Sequence, residues 1–300
     1  MQRKIIYIIN PVAGTKDKGQ LRQLIEDKTT RAGIPYRVYA SVTNGDYSFL
    51  FPVIKEEQIT DVVIAGGDGT INQAINSLLP CKVNFGIIPC GSGNGLANAA
   101  HIPKEPEAAL QVIFHGKINT VDAFNINHRF SCMLCGLGFD AQVAHDFATQ
   151  TKRGLTTYAK MTVKNFLRLK RFPFTIKLAQ KTFETDACFI SIANSNQFGN
   201  NFTIAPKASL NDGLLDVVIV TGKNKLSFVI QTLKQLKGWN KLSFENEIKE
   251  NKGVIYFQTN QLYISNPELA PLHIDGDPAE TAKEIKIEIL KHCFRLIQPA

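Results

Sequence analysis

The sequence contains no uninterrupted apolar run of about 18 residues, the minimum for a helix that crosses a bilayer. Its amino terminus offers Arg3 and Lys4 and then only the apolar stretch 5–9 before Asn10-Pro11, too short for a secretory signal. The expectation is a cytoplasmic protein. Arginine-rich runs, zinc-finger spacings and interleaved RNA-reading aromatics are missing as well, which argues against a nucleic-acid partner. Internal repeats and low-complexity linkers are absent. Cysteine is sparse: Cys81, Cys90, Cys132, Cys135, Cys188 and Cys293 are scattered along the chain, and reduced thiols are the expected state. Cys132 and Cys135 form a CxxC, but inside the apolar run 130–137 and without a second pair, so the spacing predicts a buried strand and not a zinc site.

What is present bounds the architecture. A length of 300 residues exceeds the usual single domain and predicts two cores with room for a cleft. A composition of 44% hydrophobic and 20% charged residues is that of a globular protein. The 34 Lys+Arg against 26 Asp+Glu give a net charge of +8, which favours anionic partners such as a nucleotide or an acidic lipid surface.

Periodicity divides the chain. Over the first 120 or so residues, short apolar runs at 4–9, 36–40, 61–65 and 85–89 alternate with amphipathic stretches, the pattern of a parallel sheet covered by helices. Ile71, Ala74, Ile75, Leu78 and Leu79 fall on one helical face, and Pro80 closes that segment. Beyond Val121 the pattern changes to strand candidates at 120–125, 129–134, 174–178, 185–193, 214–220, 253–259, 261–265 and 283–290, with few helices. The expected fold is therefore an α/β nucleotide domain over residues 1–122, rejoined by a final strand at 289–300, and a β-sandwich domain over residues 123–288.

Three of the first four strands end in glycine. They run into Asn10-Pro11-Val12-Ala13-Gly14, Gly66-Gly67-Asp68-Gly69-Thr70 and Gly91-Ser92-Gly93-Asn94-Gly95. In an open α/β sheet, ligands sit beyond the carboxyl ends of the strands, so the three loops are expected to converge on one ligand. Glycine there permits positive φ and lets phosphate oxygens reach peptide N–H groups with no Cβ in the way. Helices starting near Thr70 and Leu96 would aim their amino-terminal N–H groups at the same place. Neither a GxxxxGK[ST] nor a GxGxxG occurs, so the anion would be held by backbone and not by a Walker lysine. Asp68, a carboxylate between glycines at a phosphate-facing turn, is expected to hold a magnesium ion, usually through water. The alternative for it is an Asx-turn or helix cap.

The motifs Asn10-Pro-x-x-Gly14, Gly66-Gly-Asp-Gly-Thr70, Gly91-Ser-Gly-Asn94, Asn211-Asp-Gly-Leu-Leu-Asp216 and Asp275-Gly-Asp277 occur in that order across nearly the whole chain. Together they resemble the diacylglycerol kinase catalytic-domain family, which includes sphingosine kinases and soluble bacterial lipid kinases. The resemblance implies an ATP- and magnesium-dependent lipid kinase. It implies ATP contacts from Asn10, Pro11, Val12, Ala13, Gly14, Ser41, Gly66, Gly67, Asp68, Gly69, Thr70, Ile71, Asn72 and Ser92, with Thr43 as an alternative to Ser41. It also implies a structural magnesium site made by the Asp212 side chain and the carbonyls of Ser209 and Leu214, where the residues alone suggest a hairpin turn entering the next strand. The base that accepts the lipid hydroxyl proton belongs in Asp275-Gly276-Asp277: Asp277 is first, Asp275 and Asp68 are further candidates, and Asp122 is a supporting carboxylate. Family members carry DGE there, so Asp277 is one methylene shorter.

Two further departures are Gln73 in place of a glutamate and Gly95 in place of an aspartate. The Gly-Ser-Gly-Asn-Gly-Leu-Ala form is closer to sphingosine kinases. The function expected is phosphorylation of a membrane lipid such as diacylglycerol, the alternatives being a sphingoid-base or ceramide kinase, a NAD kinase, and an inactive nucleotide- or lipid-binding relative. Peripheral contact with the anionic inner face of the membrane is expected from the segment 158–174, where Lys160, Lys164, Arg168 and Arg171 fall near one helical face beside Met161, Phe166, Leu167, Leu169 and Phe172. Lys234, Lys237, Trp239, Lys241 and Phe244 form a second candidate, and a solvated helix face is the plain alternative for each. A homodimer is left open.

Overall fold

The computed structural model describes residues 2–12, 18–150, 155–196, 203–222, 224–243, 248 and 253–300. The chain divides into two compact units, one comprising Met1–Val121 with His292–Ala300 and the other Asp122–Lys291.

The first unit is a parallel α/β layer: β1 (Ile5–Ile9), α1 (Lys18–Arg31), β2 (Tyr36–Ala40), α2 (Phe51–Glu56), β3 (Asp61–Gly66), α3 (Asp68–Leu78), β4 (Asn84–Pro89), α4 (Gly95–Ala99), α5 (Pro106–His115) and the start of β5 (Lys117–Ile126). Its strand order is β2-β1-β3-β4, followed by the last seven residues of the structure's longest strand, which pairs parallel to β4 through Arg295↔Asn84. Every residue of β1 and β3 is buried, as expected of strands covered on both faces. α3 sinks Ile71, Ala74, Ile75 and Leu78 into that core, the face that the sequence spacing predicts. At the amino ends of the strands, the buried carboxylate of Asp61 accepts from Arg3 Nε at 2.6 Å and from Asn84 Nδ2 at 2.9 Å. The opposite ends carry the glycine loops.

The second unit is a sandwich. It comprises the rest of β5, β6 (Arg129–Ser131), β7 (Leu134–Gly138), α6 (Phe139–Ala148), α7 (Leu155–Leu167), β8 (Phe172–Lys177), β9 (Thr182–Ala187), β10 (Phe189–Ala193), β11 (Leu215–Val220), α8 (Lys225–Leu236), β12 (Val254–Thr259), β13 (Gln261–Ser265), β14 (Leu272–Ile274), β15 (Asp277–Ala279) and the first part of β16 (Glu284–Gln298). One sheet has the order β16-β13-β8-β9, with β5 paired to β16 and β6; the other is antiparallel throughout, in the order β12-β11-β10-β7-β14-β15. Alternate residues fill the core between them: Cys135, Leu137, Ile190, Ile192, Val217 and Ile219 from the second sheet meet Phe124, Phe174, Ile176, Ile264 and Ile287 from the first. The other face of the second sheet is covered by helices, α6 against β7, β14 and β15 and α8 against β11. Phe228 of α8 makes ring contacts with Phe139, Phe166 and Phe189 there.

The expected pairing of a parallel α/β unit with a β-sandwich unit is what the structure has, and the details differ in four places. The expected strand at 129–134 is two strands, broken where the N–H groups of Cys132 and Met133 turn to the Asp275 carboxylate instead of a ladder. The expected strand at 185–193 is β9 and β10, separated at Cys188. β14 and β15, three residues each, are too short to show a period. Among its described residues the sandwich unit also carries three helices where the pattern promises few. Among the described residues no helix is long and apolar enough to cross a membrane.

Candidate active site

In the first unit the glycine loops meet. β3 ends at Gly66, and Gly67 stands at the N-cap of α3 in extended backbone with no side-chain cap, so the positive end of an 11-residue helix opens at this loop. A Cβ added to Gly91 would lie 2.8 Å from Gly67 Cα, and one added to Gly67 would lie 3.3 Å from Gly91 Cα. The two backbones cross in contact: a Cβ at Gly91 does not fit unless backbone shifts, and one at Gly67 is tight. Asn94 holds the second loop in shape: it adopts the left-handed conformation at φ 53, accepts from Gly91 N–H at 2.8 Å and donates to Gly91 O at 2.8 Å. Asn98 donates to Gly93 O at 3.0 Å. The first loop is tied to the same place, since Asn10 Nδ2 donates to Thr70 Oγ1 at 2.8 Å while Asn10 Oδ1 accepts from Val12 N–H at 3.0 Å.

Asn10, Gly67, Asp68, Thr70 and Gly91 are thus gathered at one end of the unit, with Asp68 in the first turn of α3. Pro11 and Val12 are exposed beside them, Gly69 and Asn72 are half-buried, and Ala13 and Gly14 lie outside the described residues. Ser92 is exposed at the tip of its loop. Ile71 is fully buried and its N–H is taken by Gly67 O at 3.0 Å, so among the expected nucleotide contacts it serves the core. Ser41 donates its N–H to Ile9 O at 2.9 Å at the end of β2. The chain that follows lies on α3: a Cβ at Gly45 would meet the Gln73 side chain at 2.9 Å, and Tyr47 N–H donates to Ser77 Oγ at 2.8 Å. Gln73, exposed on that helix, packs against this loop.

The carboxylates of the second unit sit in two turns. Asp122 is fully buried and its Oδ2 accepts from Gly213 N–H at 2.7 Å, while its backbone N–H reaches Leu210 O at 2.7 Å. Asp212 Oδ1 accepts from Leu214 N–H at 3.0 Å. Burial pushes the Asp212 carboxyl above its ordinary range; the Leu214 bond opposes this and the charge of Asp122 adds to it. The turn at Asn211-Asp212-Gly213 has φ +72 at Gly213 and lies under the Lys291 side chain. β11 pairs antiparallel with β10, which ends at Ala193, so this turn lies at the end of a long connection between the two strands and is not the tight hairpin turn that the residues alone suggested. Among the described residues no group of three or more His, Cys, Asp or Glu is placed to hold a metal.

Asp275 and Gly276 close the β14–β15 hairpin, with Ile274 paired to Asp277 and φ of 50 and 86 at the two turn residues, the double positive φ that favours Asp-Gly. Asp275 is buried, and its carboxylate accepts from Ser131 Oγ at 2.5 Å and from the N–H groups of Leu134, Met133 and Cys132 at 3.0, 3.2 and 3.3 Å. With its lone pairs so engaged, Asp275 fixes the hairpin, and the exposed Asp277 is the carboxylate of the motif presented outward. Cys135 is buried nearby, and burial together with the charges of Asp275 and Asp140 pushes its thiol well up, which makes it inert.

The residues that sequence reasoning missed here are Asn94 as a loop clamp and the buried pair Asp140 and His273. The left-handed asparagine between glycines was a readable signal for the first. The second joins residues 133 positions apart, and no spacing reports it.

Comparison with known proteins identifies both units. Residues 4–126 match the family described as diacylglycerol kinase catalytic domain, and residues 134–297, more than half of the chain, match the YegS C-terminal NAD kinase beta sandwich-like domain. A diacylglycerol kinase of Bacillus subtilis is 26% identical over 280 residues, which is 91% of this chain and 89% of that one. A diacylglycerol kinase of Staphylococcus aureus is 27% identical over 285 residues, 92% of this chain and 87% of that one. The crystal structure of a diacylglycerol kinase from Bacillus anthracis superposes with a TM-score of 0.73 at 19% identity, covering 99% of this chain and 97% of that one. With both of its units matched in order, the chain belongs to the diacylglycerol kinase catalytic-domain family, a family of lipid kinases.

Proposed function

We propose that this protein transfers the γ-phosphoryl group of ATP to the hydroxyl of a membrane lipid, diacylglycerol being the first acceptor to test. The observation that carries the nucleotide half is the glycine-on-glycine crossing of Gly67 and Gly91 beside the uncapped start of α3. A side chain at either position would fill the space, and what remains is a surface of N–H groups with Asn10 and Thr70 at its edge, a fit for phosphate oxygens.

In the second unit, Asp277 is the proposed base for the lipid hydroxyl, because Asp275 is occupied by the Ser131 hydroxyl and the N–H groups of Cys132, Met133 and Leu134, and Asp122 is held by Gly213. Transfer of this kind draws most of its acceleration from positioning and charge neutralisation, so a base on the first strand residue after a two-residue hairpin turn is a sound placement. The oxygen-only set of Asp212, Ser209 and Leu214 suits a hard cation, and the neighbouring Asp122 charge that raises Asp212 favours one. When bound, magnesium would supply charge neutralisation, held at that turn by these three residues and at the triphosphate by Asp68.

Contact with an anionic bilayer is supported by α8. Leu226, Val229, Ile230 and Leu233 form an i, i+3, i+4, i+7 stripe that faces outward, while Gln231 and Gln235 are buried with Phe228. An apolar stripe turned to the outside, flanked by Lys225, Lys234, Lys237 and the exposed Trp239, suits an interfacial helix. The expected segment 158–174 fits less well: α7 stops at Leu167, Met161 is buried, and Lys164 and Arg171 are paired with Asp146 and Asp186. Phe244 lies outside the described residues.

The test is transfer of labelled γ-phosphate from Mg-ATP to diacylglycerol, sphingoid bases and ceramide in anionic vesicles, with NAD as a soluble control. A labelled lipid that is lost with Asp68→Ala supports the reading and names the acceptor; labelled NAD alone overturns it. The sphingoid arm is included because Gly95, the first residue of α4, stands where many bacterial diacylglycerol kinases have aspartate.

A further inference from the structure

His273 lies two residues before the Asp275-Gly276 turn that Asp277 follows, yet its side chain points to the helix-covered face of the sheet. There it is buried to 1% exposure, and its Nε2 lies 3.3 Å from Oδ2 of Asp140, itself 7% exposed. Its other nitrogen, Nδ1, lies 3.3 Å from the peptide N of Gly276. A peptide N–H can only donate, so Nδ1 carries no proton, and the neutral ring keeps its proton on Nε2, directed at Asp140. Asp140 is itself placed in the first turn of α6, with its Oδ1 accepting from Ala141 N–H at 2.8 Å. The imidazole therefore bridges a helix to the peptide in the middle of the hairpin turn.

The space for this bridge is built into β7. Gly136 pairs with His273 in the sheet register, and a Cβ on Gly136 would overlap both Asp140 Oδ2 and His273 Nε2. On the neighbouring strand Ser191, also small, pairs with Gly136 and is fully buried. A second bond from the same helix, His145 Nε2 to Leu272 O at 2.8 Å, fastens α6 to the strand that enters the turn. Nothing else among the described hydrogen bonds of the Gly276 peptide N–H replaces the one to His273.

We infer that Asp140 and His273 are positioning residues for phosphoryl transfer: Asp140 fixes the tautomer of His273, and His273 Nδ1 holds the Gly276 peptide so that the hairpin presents Asp277 to the acceptor hydroxyl. The inference rests on the lipid kinase reading and on Asp277 as its base. Neither residue touches substrate in this scheme, and the effect on the reaction is carried entirely by the turn.

Two isosteres separate this role from simple packing. Asn at position 273 can place an acceptor where Nδ1 stands, and Gln can place a donor where Nε2 stands. On whatever lipid the wild type phosphorylates, His273→Gln, which loses the bond to the turn, is expected to lower kcat about tenfold with the KM for ATP unchanged, in line with the sensitivity of transfer to small misplacements. His273→Asn, which keeps that bond, is expected to lose no more than about threefold, although it leaves the larger void. In an Asp277→Ala background the difference between Gln and Asn should vanish, because the group being positioned is gone. Equal losses for the two variants, losses that track their melting temperatures, or a difference that survives Asp277→Ala would each overturn the inference. Nitrogen-15 shifts of labelled histidine supply an arm independent of turnover: a neutral ring protonated on Nε2 in wild type is expected, and a Nδ1-protonated ring would overturn the inference. If the wild type phosphorylates no lipid, the lipid kinase reading fails while this spectroscopic arm still reports on the pair.

Discussion

The two units prepare for phosphate chemistry by opposite means. At the glycine loops of the first unit, side chains are removed so that backbone can approach: Gly67 and Gly91 touch, and the start of α3 is left without a side-chain cap. In the turns of the second unit, carboxylates are buried and surrounded by donors: Asp275 collects a hydroxyl and three N–H groups, and Asp122 collects Gly213. A backbone surface costs nothing to desolvate beyond its own N–H groups and tolerates no added carbon. A buried carboxylate is worth its burial only while every donor stays in place. The first unit should therefore fail by addition and the second by subtraction.

The largest effect expected is from Asp277→Ala, which should lower kcat by about 10²–10⁴, the usual worth of a positioned base, with ATP binding and melting temperature unchanged. Asp277→Glu, which restores the length of the family's DGE, should retain turnover. If Asp277→Ala matches wild type, the outward carboxylate of the hairpin has no part in the reaction. Asp275→Asn is expected to act on stability. It puts an amide donor among the hydroxyl and N–H donors that surround the carboxylate and should cost about 1–3 kcal/mol, read as a lowered melting temperature. A variant that melts like wild type would show that the cage around Asp275 contributes little.

In the first unit, Gly91→Ala places a methyl against Gly67 Cα, and an overpacking cost of about 1–3 kcal/mol should raise the KM for ATP by about tenfold or more while kcat at saturation changes less. An unchanged KM would mean that the nucleotide does not use this crossing. The smallest effect belongs to Gly276→Ala. That position has φ +86 but open space around it, so only backbone strain of about 1 kcal/mol is expected, visible in melting and not in ATP affinity. Its contrast with Gly91→Ala, strain without contact against contact without strain, sharpens the comparison most directly.

How much of this was legible follows from range. The strands of the first unit and the buried face of α3 were readable because their signals are local: unbroken apolar runs for two-sided strands, and 3.6-residue spacing for Ile71, Ala74, Ile75 and Leu78. The glycine loops were readable because glycine after a strand has few other uses. The hairpin of β14 and β15 escaped because three residues carry no period, although its Asp-Gly turn did stand out. α8 was not read from the sequence, for a different reason. Its apolar stripe has helical spacing, but the structure turns that stripe outward and buries glutamines, an arrangement that spacing cannot distinguish from a core helix.

The sequence by itself determined the class of both units, the three phosphate-facing loops and the identity of the carboxylates at the two later turns. These depend on residues that are neighbours along the chain and on chemistry that only a few residue types supply. Only the tertiary structure decided which carboxylate of Asp275-Gly276-Asp277 is buried among donors and which is exposed. It also decided that Gly67 meets Gly91, and that Asp140 reaches His273 across the space left by Gly136. Those outcomes join residues distant in sequence, and their energies exist only once packing has removed water and left each buried polar group one partner to find.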